Sequence, residues 1–244
     1  MSDFNEGSLK GSNTALKTVL GVCACLLLIG LLIAVLFPRE GGEAAERRIQ
    51  CINNMKQIVL ALHLYYAQHE LFLPAYATDE DGKPLHSWRV LILPYLEQKE
   101  LYDQIRLDEP WDSEYNKQFH DQMPMIYLCP SSQSSPRNGF TSYQMVVGPN
   151  TISDGSSAKS FNDVTAKLSE VVMLVEVIPT TCWMAPVDVQ ESDLAGDFKF
   201  SRKSGVGSMH PGRINIGYMD GSARHMNDFG DEVQQLKDKV KIKQ

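Results

Sequence analysis

The sequence predicts an α+β fold carried on a single N-terminal transmembrane helix, and three features predict it. Thr18–Phe37, TVLGVCACLLLIGLLIAVLF, runs for twenty residues without a charge. Glu43 to about His69 repeats its apolar residues at three- and four-residue steps, the period of an amphipathic helix. Residues 213–226 alternate apolar and polar on either side of Asp220-Gly221, the pattern of an antiparallel hairpin. A sheet needs one covered face, and the amphipathic helix is the long element with a matching apolar stripe, so it is expected to pack on the sheet.

Composition bounds the rest. The chain has 244 residues, 43% hydrophobic and 22% charged, which excludes a collagen, a disordered tail and a multi-pass membrane protein. With the apolar run set aside, about 200 residues remain, enough for one ordinary domain. The net charge of −7 argues against nucleic acid as a partner, because phosphate neutralisation needs a concentrated basic face.

At 1.5 Å per residue the apolar run spans roughly 30 Å, the thickness of a hydrocarbon core. It shows no polar stripe, unlike a buried core helix. It is longer than the roughly 7–15-residue apolar region of a signal peptide and is followed by Pro38 and Arg39. Cys25 precedes twelve further residues of the run, too early for a lipoprotein cysteine. Lys10 and Lys17 lie before the span and Arg39, Arg47 and Arg48 after it, so basic residues do not set its direction. The short tail before it favours an exported C-terminal part. The expected organisation is therefore a cytoplasmic tail (1–17), a transmembrane helix (18–38) and an extracytoplasmic α+β domain (39–244), with the lipid bilayer a partner through Thr18–Phe37.

Gly41-Gly42 breaks the pattern before the second helix, and Pro38 could kink the joint. That helix carries Ile49, Ile52, Met55, Ile58, Val59, Leu62 and Tyr66 on one face. Residues 71–84, dense in turn formers, read as a loop. Ser87 caps a helix through Trp88 to Tyr102, interrupted at Pro94. Met145–Val147 and Val171–Val177 (VVMLVEV) read as strands, the second too uniformly apolar to be exposed on both faces. The Asp220-Gly221 turn suits type I′. Asp231–Lys243 is a charged, helical tail.

Candidate chemistry is sparse. Cys51, Cys129 and Cys182 lie outside the apolar run; a Cys51–Cys129 disulfide tying a loop to the helix is the first choice, the alternative being three buried thiols. No C-x-x-C pair lies outside the span, and none of the six histidines forms an H-x3-H or H-E-x-x-H pattern. No metal or cofactor is expected, although a metal site assembled from distant residues stays open. G-x-S-x-G, P-loop and dinucleotide motifs are absent. The acidic loops at 79–81 and 108–112 read as solvated charge, with Ca²⁺ binding the alternative. Trp88, Tyr95, Tyr102, Trp111 and Trp183 read as wedges holding loops to a small core, or else as the lining of a ligand groove.

Several blocks together resemble a known family. EAAERRIQCINNMKQIVLALHLYYAQH (43–69), PLHSWRVLILPYLEQKELYDQIRLDEPWD (84–112), Cys129-Pro130-Ser131 and HPGRINIGYMDG (210–221) are similar to the signatures of a bacterial family of pilin-like proteins, typified by planctomycetal paralogues. The last block reproduces its H-x9-D-G element. The resemblance implies the architecture of a type IV pilin or type II secretion pseudopilin: a long N-terminal helix, half in lipid, whose outer half packs on an antiparallel sheet. Residues 13–19, NTALKTV, lack the prepilin cleavage Gly-Phe and the glutamate that aligns pilin subunits. An uncleaved anchor is therefore expected.

His210, Asp220 and Gly221 are expected to shape the hairpin, with a hydrolase using His210, Asp220 and Ser208 as a remote alternative. The expected role is a structural or interaction protein of the cell envelope, with possible protein partners there, and not an enzyme. The other reading is an extracytoplasmic module binding a small molecule, glycan or calcium.

Overall fold

The computed structural model describes residues 7–36, 40–132, 134–194, 206–210, 212–227, 235, 236 and 238–243. The chain divides into two compact units, Met1–Ala45 and Glu46–Gln244.

The first unit holds helix α1, Gly7–Leu36, with no acidic residue in its first turn and no basic one in its last. Its described side chains, 17–32, are all exposed. Among the described residues no helix is long and apolar enough to cross a membrane. The sequence run continues to Phe37, past these side chains, and the expected kink at Pro38 lies outside the described residues. Gly41-Gly42 does not interrupt the second helix: α2 runs Glu40–His69.

In the second unit α2 presents Cys51, Met55, Ile58, Val59, Ala61 and Leu62 inward, each at most 1% exposed. These positions recur at helical spacing, whereas Ile49, two residues from Cys51, lies about 200° around the helix and is exposed. The expected stripe therefore turns: Ile49 leaves it and Cys51 joins it.

Strands β1 (Tyr76–Thr78) and β2 (Pro84–Ser87) form a small antiparallel hairpin, β1 within the segment 71–84 expected to be a loop and β2 at its end. Asp79 Oδ1 accepts from the amides of Asp81 and Lys83 and shapes its turn. Ser87 caps α3 (Trp88–Leu91), accepting from the Arg89 amide. The single helix expected to continue from there is instead α3, a 3₁₀ turn at Leu93–Leu96 and α4 (Lys99–Tyr102). Pro94 ends the α-helical run because it offers no amide to continue it.

The main sheet is built from β3 (Phe140–Val147), β4 (Val172–Cys182), β5 (Val189–Gln190), β6 (Arg213–Tyr218) and β7 (Ala223–Asn227), in the order β5-β3-β4-β6-β7. All neighbours are antiparallel except β3 and β5. On one face Met55, Ile58, Val59 and Leu62 of α2 meet Tyr143, Met145 and Leu174. Val172, Val175, Val177, Ile214 and Ile216 line a second core with Val206, Leu236 and Val240. Both faces are thus covered, which accounts for the unbroken apolar character of VVMLVEV.

The helix comes close to the sheet at Gly217. A Cβ there would stand 3.0 Å from Val59 Cγ2 and 3.1 Å from Met55 Cγ, so glycine is what permits the approach.

The β6–β7 turn departs from type I′. Gly221 has φ +86° but Asp220 is not in the left-handed region. The Gly221 amide donates to Tyr218 O and the Tyr218 amide to Ser222 O, the pattern of a three-residue loop closed by a bulge glycine. Asp220 Oδ1 accepts from the Ser222 amide at 3.0 Å, which favours this looser turn. Of the expected C-terminal helix, 231–234 and 237 lie outside the described residues. Ile242 is buried, its amide donating to Asn150 O and its carbonyl accepting from Thr165 and Ala166, so the tail end is pinned to the domain.

Candidate functional site

Among the described residues of the second unit, two buried polar clusters contain ionisable groups brought together from distant parts of the chain. The first joins α3 to the sheet. Arg89 Nη2 lies 2.7 Å from Asp188 Oδ1, both side chains being essentially inaccessible. The same oxygen accepts from Trp88 Nε1 at 3.0 Å and the Met145 amide at 2.8 Å. Arg89 also donates to Tyr143 O from Nε and to Ser87 Oγ from Nη1. Burial pushes the Asp188 carboxyl up, while the Arg89 guanidinium pulls it down. Asp188 Oδ1 is engaged by three internal donors, while its Oδ2 is buried without a hydrogen-bond partner among the described residues; the cluster acts as a structural clamp.

The second cluster draws together residues from α2, the 129–131 turn, β4 and the segment before β6. Cys51 and Cys129 form a disulfide with Cα atoms 5.2 Å apart across 78 residues of sequence. Tyr143 Oη donates to Cys51 O, the Cys129 amide donates to Ser142 Oγ, and Asn54 Nδ2 donates to Leu128 O. The bridge is therefore held from both sides.

His210 lies over this bridge. Its Nε2 is 3.4 Å from Cys129 Sγ and 3.8 Å from Glu176 Oε1; its Nδ1 is 3.2 Å from Ser131 Oγ. Glu176 comes from the middle of β4, paired in register with Tyr143. Its Oε2 accepts from the Asn215 amide at 3.1 Å and from Asn215 Nδ2 at 2.9 Å. Its Oε1 is buried without a hydrogen-bond partner among the described residues.

Burial raises the Glu176 carboxyl to about 7, against the opposing pull of Ser208 and Asn215. Burial lowers His210, and Arg48 and Arg47 lower it further. Near neutral pH the imidazole is therefore neutral beside a carboxyl close to its midpoint.

The expected site residues divide. Cys51, Cys129 and His210 meet, whereas Asp220 belongs to the β6–β7 turn with Ser222 and Arg224. The spacing H-x9-D-G thus joins two separate tasks. His210 does reach the hairpin through its carbonyl, which accepts from the Arg213 amide at 3.4 Å. Ser208 Oγ accepts from the His210 amide, and the His210 ring meets Cys129, Ser131 and Glu176 while Asp220 bonds Ser222 and pairs with Arg224, so the suggested Ser–His–Asp grouping is not assembled. Cys182 is a free, half-buried cysteine whose thiol is pushed up by burial.

Sequence reasoning missed Glu176. Its signal was the lone carboxylate in VVMLVEV, a charged residue inside a run read as buried.

The aromatics do not line a common groove. Trp88 and Trp183 are fully buried and donate to Asp188 and to Phe119 O. Tyr95 bonds Gln68, and Trp111 stacks on His120. Beside the disulfide lies a cavity of about 490 Å³, lined by residues including Asn54, Gln57, Ile126 and Pro130.

Residues 42–171 match the family model described as "Protein of unknown function (DUF1559)", more than half of the chain. The chain belongs to the DUF1559 family. The DUF1559 match takes in α2 from residue 42 onward, both bridging cysteines and β3, and ends before Glu176 and His210. No curated protein and no solved structure matches the chain.

Proposed function

We propose that this DUF1559 protein is a membrane-anchored, extracytoplasmic structural or interaction protein of the cell envelope, built like a pilin or pseudopilin, and not an enzyme. The observation that carries the reading is α1, whose side chains from Val19 to Leu32 face outward with leucines and isoleucines 51–75% exposed. Water is a poor solvent for that surface: each large apolar side chain gains about 1.5–3 kcal/mol on leaving it. A bilayer supplies the apolar surroundings, and the charge-free run to Phe37 has the length to use them.

Two further features support an exported head. The Cys51–Cys129 disulfide suits an oxidising compartment. The packing of α2 on an antiparallel sheet, closest at Gly217, agrees with the pilin-like resemblance of the sequence blocks. Asp188 Oδ1 in the Arg89 clamp and Asp220 Oδ1 in its turn are engaged by internal donors, which favours a scaffold role over acid–base chemistry.

The test is fractionation of the native host cells followed by intact-mass measurement of the purified protein. A full-length chain requiring detergent, with its head accessible to an added protease outside the cytoplasmic membrane, supports the reading. Full-length protein in the cytosol without detergent overturns it. Loss of the first seventeen or so residues would instead favour processing and filament assembly.

A further inference from the structure

The disulfide cluster carries more than a bridge. Cys51, Cys129, Glu176 and His210 are all buried and each offers one ligand atom, these atoms lying within 4.8 Å of one another. We propose that they form a redox-gated zinc site: when a dithiol reductant opens the Cys51–Cys129 bond, the two sulfurs, His210 Nε2 and Glu176 Oε1 close around one Zn²⁺. This inference is independent of the membrane reading, since it concerns the second unit alone.

The donor set is the first argument. Two thiolates, one imidazole and one carboxylate suit a borderline-soft, four-coordinate ion, and do not suit Ca²⁺ or Mg²⁺, which take oxygen shells. Zinc–ligand bonds of about 2.0–2.3 Å make a tetrahedron with edges of about 3.3–3.8 Å. His210 Nε2 already stands 3.4 Å from Cys129 Sγ and 3.8 Å from Glu176 Oε1. The sulfurs must part, which reduction allows.

The second argument is the unpartnered oxygen. Glu176 is 1% exposed, and its Oε1 has no hydrogen-bond partner among the described residues while Oε2 takes two donors from Asn215. A buried carboxylate oxygen left in this way calls for an explanation, and a cation beside His210 supplies one.

The third is the outer shell. With its Nδ1–H donating to Ser131 Oγ, the His210 imidazole keeps its Nε2 lone pair free for a metal. Two thiolates and a carboxylate carry three negative charges against two on zinc. Arg47 and Arg48, close enough to influence His210, offset the remainder.

The chemistry balances. The dithiol gives two electrons and two protons to the disulfide and becomes a disulfide itself. Zinc then replaces the two thiol protons, which pass to solvent. Reoxidation by an added disulfide balances in the same way: it takes two electrons from the thiolates and two protons from solvent to become a dithiol, while the Cys51–Cys129 bond re-forms and the metal is released.

The experiment uses the full-length chain in detergent, reduced with a dithiol, desalted without oxygen and titrated with Co²⁺ alone. One equivalent is expected to bind, with thiolate-to-cobalt charge transfer and the visible bands of four-coordinate cobalt. Zinc should displace it and reoxidation should release it. Glu176→Gln, nearly isosteric, is expected to weaken binding at least tenfold.

Ser131→Ala keeps all four ligands and guards against a Glu176→Gln variant that does not fold; a 10–100-fold loss is expected from the outer-shell change. Reduced wild type that takes up no cobalt overturns the proposal. So does uptake without charge-transfer bands, or uptake unchanged in both variants.

Discussion

His210 stands 3.4 Å from the Cys129 sulfur although 81 residues separate them, and the contact joins three sequence blocks that carry the family resemblance. Cys51 comes from the first, Cys129 and Ser131 from the short Cys-Pro-Ser block, and His210 from the last. In space these distant blocks meet at one knot. That meeting makes the bridge the natural first point of perturbation. In the chain-entropy picture, closing a segment of 78 residues is worth about 4–5 kcal/mol. The double variant Cys51→Ala/Cys129→Ala is therefore expected to unfold at much lower denaturant than the oxidised protein, measured by chemical denaturation of the full chain in detergent. Unchanged midpoints would remove the bridge from any stabilising role.

Gly217 is predicted to be intolerant of a side chain. Its φ is not in the left-handed region, so the cost comes from space: Val59 Cγ2 and Met55 Cγ would lie 3.0 and 3.1 Å from a new Cβ. Gly217→Val should cost about 1–3 kcal/mol through overpacking. For a unit of this size that lowers the melting temperature by about 2–4 °C per kcal/mol. Pairing it with Val59→Ala should recover part of the loss, because the same atoms collide.

The fold was legible where the sequence carried a period. α2 and the β6–β7 hairpin are present because apolar residues recur at helical spacing and alternate at strand spacing. The β1–β2 hairpin was hidden because its strands are three and four residues long, too short to show alternation among turn formers. The site was legible only in halves. Cys51 and Cys129 could be paired as a helix cysteine and a loop cysteine, but Glu176 looked like part of a strand, and nothing local shows that β4 turns it toward His210. Ile49 was misplaced because a stripe counted from the helix start ignores the turn imposed by Cys51 and Met55.

The Arg89–Asp188 clamp yields a second stability prediction. Asp188 Oδ1 receives Arg89, Trp88 and the Met145 amide at once, so Asp188→Ala strands three donors in the core. Removing one partner of a buried ion pair costs about 3–5 kcal/mol. A double change, Arg89→Met with Asp188→Leu, should cost less than the sum of the two single changes. A double-mutant cycle on denaturation midpoints reads the coupling, and strict additivity would deny it.

His86 predicts an acid limb of stability. The ring is fully buried; its Nε2–H donates to Arg106 O at 3.1 Å and its Nδ1 has no hydrogen-bond partner among the described residues. Burial lowers its folded pKa below the usual 6.5. The unfolded chain then binds the extra proton first, so stability is fully present above about pH 6.5. It falls as pH drops from there toward the folded value, by at most about 1.4 kcal/mol per pH unit. His86→Gln keeps a donor for Arg106 O but cannot take the proton. Its denaturation midpoint should therefore decline less steeply below pH 6.5 than that of the wild type; parallel curves would show that another group sets the slope.

The anchor can be tested by charge alone. Leu27 and Leu31 are 75% and 63% exposed on α1, one helical turn apart. If lipid surrounds them, each change to aspartate costs about 2.5–3.5 kcal/mol near the centre of a span. Leu27→Asp with Leu31→Asp should therefore shift the protein out of the membrane fraction or abolish its accumulation. Leu60→Asp with Leu64→Asp provides the control, because those side chains are 57% and 47% exposed on α2 in the second unit. In the proposed arrangement these face water or a partner rather than acyl chains, so this pair should leave membrane partition unchanged. Equal partition of both double variants and the wild type would show that α1 is not held by lipid.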